Sequence, residues 1–334
     1  MVRFWMPGSG DRDRHRAARD EQARVTALRV ADLPLPAAGP PMLVTGSSGR
    51  LGRALAARLD PLEVRGLDVE PGPATTVRGS ILDRRALAEA LAGVDSVVHL
   101  AALHAPHIGR VPDRQFRTVN VDGTASLLAA ARKAGVRRFV FASSTSVYGA
   151  ALANRSAAVY VTESLAVAPR DVYDDTKRAA ERLVLAADGD FPDGTVVLRI
   201  GRCVRETARL RAWHRFYRGL AAADAARALH RAARSGVGGV FNVVARTLLQ
   251  AEDAAGLKDD PLAILRQRYP AFDWRDEDWA VLARDGIDRV YDGSLAATRL
   301  GFASRWDTVA WHERAMRRTR VRLTPPTASP WWSA

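Results

Sequence analysis

Residues 42–55 read MLVTGSSGRLGRAL: four apolar or small residues in a row, a segment with three glycines, then apolar residues at helical spacing. The run Met42–Thr45 has the length and unbroken apolarity of a strand buried on both faces, and RLGRALAARL (50–59) reads as a helix. Between them, Gly46, Gly49 and Gly52 allow a tight turn and a close approach of backbone to a ligand, with the next helix N-terminus facing an anion. A strand, a glycine turn and a helix in that order open an α/β unit.

The alternation continues. LEVRGLD (62–68) is strand-like and DRRALAEALA (83–92) helical; SVVHLAA (96–102) and RRFVFASS (137–144) are strand-like with a helical stretch from Phe116 to Ala134 between them. VYDDTKRAAERLVLAA (172–187) predicts another helix and TVVLRIG (195–201) another strand. Near-continuous apolar strands separated by helices imply a doubly wound α/β fold, a parallel sheet covered on both faces. After Gly201 the alternation weakens, with short strands such as GVFNVV, and predicts a smaller C-terminal α/β lobe. The expected organisation is an extension over 1–40, a nucleotide-binding domain over 41–201, a substrate-binding lobe over 202–322 that partly returns to the sheet, and a tail over 323–334.

Asp68 closes the second strand, sixteen residues after Gly52. There its carboxylate can accept both hydroxyls of an adenosine ribose and would repel a 2′-phosphate, so the pattern favours NAD over NADP. Ser48, Arg50 and Leu51 complete the phosphate loop, Arg50 being the residue there that would suit a 2′-phosphate.

Composition narrows the class. The chain has 334 residues, 47% hydrophobic and 26% charged, enough for one large α/β domain and a smaller lobe. One cysteine, Cys203, permits no internal disulfide and suits a reducing cytoplasm. No run approaches the length of a membrane span, and the first residues lack the apolar core of a signal peptide, so no membrane partner is expected. The net charge of +13 is scattered through Ala- and Arg-rich helices rather than gathered with aromatics, which argues against a nucleic-acid partner. His99, His104 and His107 have no carboxylate partner at a recognisable interval, and no metal is expected.

The chain holds 50 Lys+Arg but only three lysines, Lys133, Lys177 and Lys258. One of them, Lys177, follows Tyr173 by one helical turn, where its ammonium could sit beside the phenol and hold a tyrosinate near neutral pH.

TGSSGRLG, VVHLAA, VNVDGT, FASSTSVYG and YDDTK, in this order and spacing, resemble the extended branch of the short-chain dehydrogenase/reductase superfamily, the NAD-dependent epimerase/dehydratase group, over roughly 42–205. The resemblance implies a Rossmann fold, NAD as cofactor, and a cytoplasmic enzyme acting on a sugar or nucleotide sugar, with a homodimer through a helix bundle. It makes Tyr173 the acid/base, Lys177 its electrostatic partner and a ligand of the nicotinamide ribose, and Ser144 the hydrogen-bond partner of the reacting oxygen, with Ser143 the neighbouring alternative. It sets Leu100, Ala101 and Ala102 along the cofactor and has Asn120 support the strand that carries the serine. Ser80 stands where the family commonly has an acidic residue for adenine, so adenine would use Ser80 or the Ile81 backbone.

The family's 4,6-dehydratases carry an Asp-Glu pair directly after the active-site Ser/Thr; here Thr145 and Ser146 stand there, which disfavours dehydration. Epimerisation of a nucleotide sugar through a keto intermediate is the leading expectation. LRIGRCVRETARLRAW is similar to uronate dehydrogenases of the same branch, so a sugar-acid or alcohol dehydrogenase is the alternative, and a non-catalytic dinucleotide-binding regulator a third. Thr145, Arg202, Arg211 and Arg289 are the expected substrate contacts, an arginine fork suiting a carboxylate or a diphosphate equally.

Overall fold

A computed structural model describes residues 40–153, 155–275 and 278–309. The expected extension over 1–40 and tail over 323–334 lie, but for residue 40, outside the described residues.

Seven parallel strands form the main sheet in the order β3-β2-β1-β4-β5-β7-β8. They are β1 (Met42–Thr45), β2 (Val64–Asp68), β3 (Thr75–Arg78), β4 (Ser96–His99), β5 (Arg138–Ser144), β7 (Thr195–Ile200) and β8 (Gly239–Val243). β1 is wholly buried, as its sequence requires: Met42 and Val44 pack into the core on one face, Leu43 into the core on the other. The same split recurs in β4, where Val98 and Val97 face opposite cores, and in β5, with Val140 opposed to Phe139 and Phe141. Helices cover both faces, as this alternation demands.

One face holds α1 (Arg50–Ala56) and α7 (Ala222–Arg234). The alanines of α7, Ala225, Ala228 and Ala232, let it lie close to α1 and to the sheet. The opposite face holds α2 (Arg84–Leu91), α4 (Gly123–Lys133) and α5 (Val172–Ala186), with Leu87, Leu127, Ala180 and Val184 in its core. Asp83 caps α2 through the amides of Arg85 and Ala86. Asp171 caps α5 through Asp174 N, which starts that helix just before Tyr173.

The expected single helix from Phe116 to Ala134 is divided. α3 (Asp113–Arg117) passes into a π turn over Thr118–Asp122 before α4 begins. The chain beyond Gly201 returns to the main sheet through α7 and β8. Its remaining helices are α6 (Ala208–Arg215), α8 (Ala254–Asp259), α9 (Pro261–Arg268), α10 (Asp278–Ala283) and α11 (Ser294–Arg299). Trp213, Phe216, Tyr269, Phe272 and Trp279 share a separate aromatic core there. A two-stranded parallel sheet of β6 (Val159–Val161) and β9 (Arg289–Tyr291) joins this part to the segment after β5. Among the described residues no helix is long and apolar enough to cross a membrane.

Candidate active site

The strand order reverses at β1, which pairs with β2 on one side and β4 on the other. In an open parallel sheet, the crevice beyond the carboxyl ends of the strands at such a reversal is where a dinucleotide fits. The glycine loop lies there. Gly46 has φ +71°, and a Cβ on it would stand 2.8 Å from the Ala101 amide nitrogen; one on Gly52 would stand 2.3 Å from the Gly46 carbonyl oxygen. No other residue fits either place. Gly49, at the N-cap of α1, supplies no side-chain acceptor to the first-turn amides, and Arg50 and Leu51 follow in that turn.

Asp68 sits at the end of β2 beside the loop, its carboxylate oxygens accepting from the amides of Ser48 (2.9 Å) and Glu70 (3.0 Å). Two bonds leave a carboxylate capacity for ribose hydroxyls. Leu100, Ala101 and Ala102 follow β4 directly, and the amides of the first two reach the Thr45 hydroxyl at 3.2 Å each. Ser80 follows β3, its hydroxyl accepting from Leu82 N, while Ile81 buries its side chain against Gly123 and leaves only backbone to offer. The cradle therefore fits a dinucleotide: glycines where any side chain would collide, and a carboxylate at the ribose position.

Across the reversal, β5 delivers Ser144 and α5 delivers Tyr173 and Lys177. The Tyr173 phenol lies near Ser144, whose Oγ accepts from Ser146 N at 3.1 Å. Lys177 is buried, with Nζ donating to the Ala142 carbonyl at 2.8 Å and lying 4.6 Å from the centre of the Phe141 ring. One of the ammonium's three donors is thus used by Ala142. Partial burial pushes the Tyr173 phenol up to about 12, opposed by Ser144, with Asp174 and Asp171 adding to the rise. Burial also pushes Lys177 down to about 8, opposed by Glu181.

Ser143, the alternative to Ser144, points elsewhere: its hydroxyl donates to Glu181 at 2.5 Å. Asn120, expected to support the serine strand, instead exchanges two bonds with the Leu103 backbone (2.8 and 3.0 Å) and donates to Thr176 at 3.0 Å. It ties the segment after β4 to α5 between Tyr173 and Lys177, from the middle of the π turn, a helix irregularity frequent at functional sites.

At the end of β7, next to the strand of Ser144, lies a cluster of arginines. Arg202 donates to Glu206 at 2.6 Å; Glu206 also holds His214 Nδ1 at 2.9 Å, and His214 Nε2 lies 2.7 Å from Arg218. Arg211 and Arg215 are close enough for the charge of Arg211 to lower Arg215, after burial. Thr145 lies buried beside Ser144, its carbonyl accepting from Tyr291 at 3.2 Å. Arg289, in β9, is engaged by Asp288 through Nε at 2.8 Å and again through Nη2.

Sequence reasoning missed Glu181, Arg199, Glu206, His214 and Arg218. An arginine inside the otherwise apolar strand TVVLRI was a legible signal for a buried partner, and a glutamate one turn beyond Lys177 supplied it.

Residues 42–204 match the NAD dependent epimerase/dehydratase family. A 3-beta-hydroxysteroid dehydrogenase of Mycolicibacterium neoaurum is 36% identical over 163 residues, 45% of this chain and 43% of that protein. An N-acetyl-alpha-D-glucosaminyl-diphospho-ditrans,octacis-undecaprenol 4-epimerase of Escherichia coli O157:H7 is 39% identical over 112 residues, 32% of this chain and 33% of that one. The matches thus span less than half the length of these relatives. MoeE5 in complex with UDP-glucuronic acid and NAD superposes with a TM-score of 0.59 at 25% identity, over 84% of this chain and 99% of that one. The glycine cradle, the ribose carboxylate and the Ser-Tyr-Lys arrangement all lie inside residues 42–204, the segment that matches the NAD dependent epimerase/dehydratase family.

Proposed function

We propose that the protein epimerises a nucleotide sugar through a keto intermediate, with Tyr173 as acid/base. The observation that carries this reading is the meeting of two groups at one edge of the sheet: Ser144, with Tyr173 near it, at the end of β5, and the Arg202–Arg218 cluster at the end of the neighbouring β7. The first suits a secondary alcohol and the second an anionic part of the same substrate. MoeE5 with UDP-glucose or UDP-glucuronic acid, and the 4-epimerase among the relatives, point the same way.

When bound, NAD supplies the site that accepts a hydride and gives it back. Gly46, Gly49 and Gly52 would hold its pyrophosphate, Asp68 its adenosine ribose and Lys177 its nicotinamide ribose. Tyr173 takes the proton of the substrate hydroxyl as the alcohol is oxidised and returns it on reduction. Ser144 donates a hydrogen bond to the developing oxyanion. A phenol raised to about 12 is a poor base at neutral pH. The positive charge of an oxidised nicotinamide beside it would lower it, and so ties proton removal to the oxidised form of the cofactor. Thr145 and Ser146 offer no acid/base pair for elimination, consistent with epimerisation rather than 4,6-dehydration.

A second reading, oxidation of a sugar acid or other alcohol with release of NADH, is favoured by the compact arginine cluster, which suits a single carboxylate, and by the dehydrogenase among the relatives. Incubation with NAD and UDP-glucose, UDP-glucuronic acid or a free uronate, followed by proton NMR of the sugar and absorbance of NADH, separates the two. An epimer without net NADH supports the first reading. Stoichiometric NADH supports the second, and no conversion of any of them by NAD-loaded protein refutes both.

A further inference from the structure

Glu181 has no part in the chemistry above, yet it is 3% exposed and carries the densest set of buried polar bonds near the site. Arg199 Nε and Nη2 donate to its two oxygens at 3.0 and 2.8 Å, and the Ser143 hydroxyl donates to it at 2.5 Å. Arg199 is held in turn: Nη1 donates to the Tyr148 hydroxyl at 2.9 Å, the guanidinium lies 4.9 Å from that ring's centre, and Tyr148 donates to Asn242 at 2.9 Å. The network joins α5 to β5, β7 and β8.

On α5, Tyr173, Lys177 and Glu181 follow one another at one-turn intervals and so share a face. Two of them bond to consecutive residues of one strand, Lys177 to Ala142 and Glu181 to Ser143, and Tyr173 lies near Ser144, the next residue of that strand. A buried ion pair is weak evidence of stabilisation, since an apolar pair of similar volume does as well or better. The charge at Glu181 therefore calls for another reason.

We propose that Glu181, fixed by Arg199 and Ser143, is a positioning residue that aligns the Tyr173–Lys177 helix against the Ser144 strand and serves as counter-ion to the Lys177 ammonium. This rests on the reading of Lys177 as a cofactor-binding and electrostatic residue. The groups around Lys177 leave the task to Glu181. From its own helix come the phenol of Tyr173 and Glu181; from β4 and the segment after it come the buried His99, whose uncharged form burial favours, and the exposed His104. From β5 come the Phe141 ring and the Ala142 carbonyl. Glu181 is the anion that opposes the effect of burial on Lys177.

With only three lysines in the chain, the ε-carbon of Lys177 can be followed by NMR in full-length protein carrying ¹³C-lysine, assigned through Lys133→Arg and Lys258→Arg. Wild type is expected to titrate near 8 at Lys177. Glu181→Gln should make that ammonium at least about tenfold easier to deprotonate, and move the alkaline limb of turnover down with it. Because Glu181→Gln strands Arg199 in the core, the pair Glu181→Met/Arg199→Met is the second variant, with no orphaned charge and a smaller downward shift, since the Arg199 cation leaves together with the anion. A folded variant whose Lys177 midpoint stays at the wild-type value overturns the proposal; so does failure of both variants to fold, which would assign Glu181 to the core alone. A midpoint that moves in a protein without turnover keeps the proposal and refutes the enzymatic reading instead.

Discussion

Gly46→Ala is a two-part perturbation whose parts can be separated. The backbone at Gly46 has φ +71°, where an L side chain costs about 1–2 kcal/mol. The new methyl would also meet backbone: Ala101 N at 2.8 Å, the Leu100 carbonyl carbon at 3.0 Å and Ala101 Cα at 3.1 Å, so no rotamer relieves it. Moving that segment away would strain the bond from Ala101 N to Thr45. Overpacking of this kind adds about 1–3 kcal/mol, for about 2–5 kcal/mol together, against a total stability of roughly 5–15 kcal/mol for a typical domain. Gly93 supplies the control, with the same φ of +71° and nothing within 4 Å of an added Cβ. Gly93→Ala should cost only the first part, about 1–2 kcal/mol, and leave NAD binding unchanged. Urea unfolding of the two variants beside wild type, with NAD titrated calorimetrically into each, reads both terms. Equal destabilisation, or NAD affinity retained in Gly46→Ala, would refute the close approach on which the cradle rests.

Three further outcomes are expected. Tyr173→Phe should lower turnover by about 10²–10⁴ while leaving the NAD dissociation constant within a few-fold, as a lost acid/base group would and a lost binding group would not. Asp68→Asn should weaken NAD by about ten- to a hundredfold and NADP by less, measured as two dissociation constants, since a charge that attracts hydroxyls also repels a phosphate. Arg138→Met should destabilise by more than about 3 kcal/mol in urea unfolding, because this buried guanidinium donates to Ala232 O, Asp193 O, Val237 O and Ser235 Oγ, and its loss strands those acceptors.

What was legible in the sequence was what has a period or a local constraint. The strands of the sheet show as apolar runs, and the glycine loop shows because its residues answer a steric demand. Ser144, Tyr173 and Lys177 were placed by motif and spacing. The π turn around Asn120 was not, since a helix widened by one residue has no compositional mark. Neither were the three-residue strands β6 and β9, which pair only because distant segments are brought together. Nor was the Ala142 bond of Lys177 legible: spacing along α5 shows that lysine and tyrosine share a face, but not that the Ala142 carbonyl is in reach. Arg138 and Arg199 sit in strands that read as apolar, and each is buried only because tertiary structure supplies acceptors.

His99 links the floor of the cradle to the acid side of the pH range. The Thr45 hydroxyl already accepts from the amides of Leu100 and Ala101, so its one proton goes to His99 Nδ1 at 2.7 Å. The Thr124 hydroxyl gives its proton to Asn120 O at 2.7 Å, and so accepts from His99 Nε2 at 2.9 Å. His99 is therefore neutral, protonated at Nε2, and a proton on Nδ1 would oppose the Thr45 hydroxyl. Burial, with a smaller push from Lys177, holds it down to about 3 from 6.5. Between those values the unfolded chain binds a proton at this residue that the folded chain does not. Its contribution is thus fully present above pH 6.5 and is lost as the pH falls toward 3, worth up to about 5 kcal/mol over the whole window. His99→Leu should be less stable than wild type at pH 7 yet lose less stability between pH 6.5 and 4, when urea midpoints are compared across that range. The same hydroxyl anchors Leu100 and Ala101 against Gly46, so NAD binding should weaken in wild type over the same interval, ahead of unfolding. Parallel stability curves for the two proteins would show that the acid sensitivity lies elsewhere.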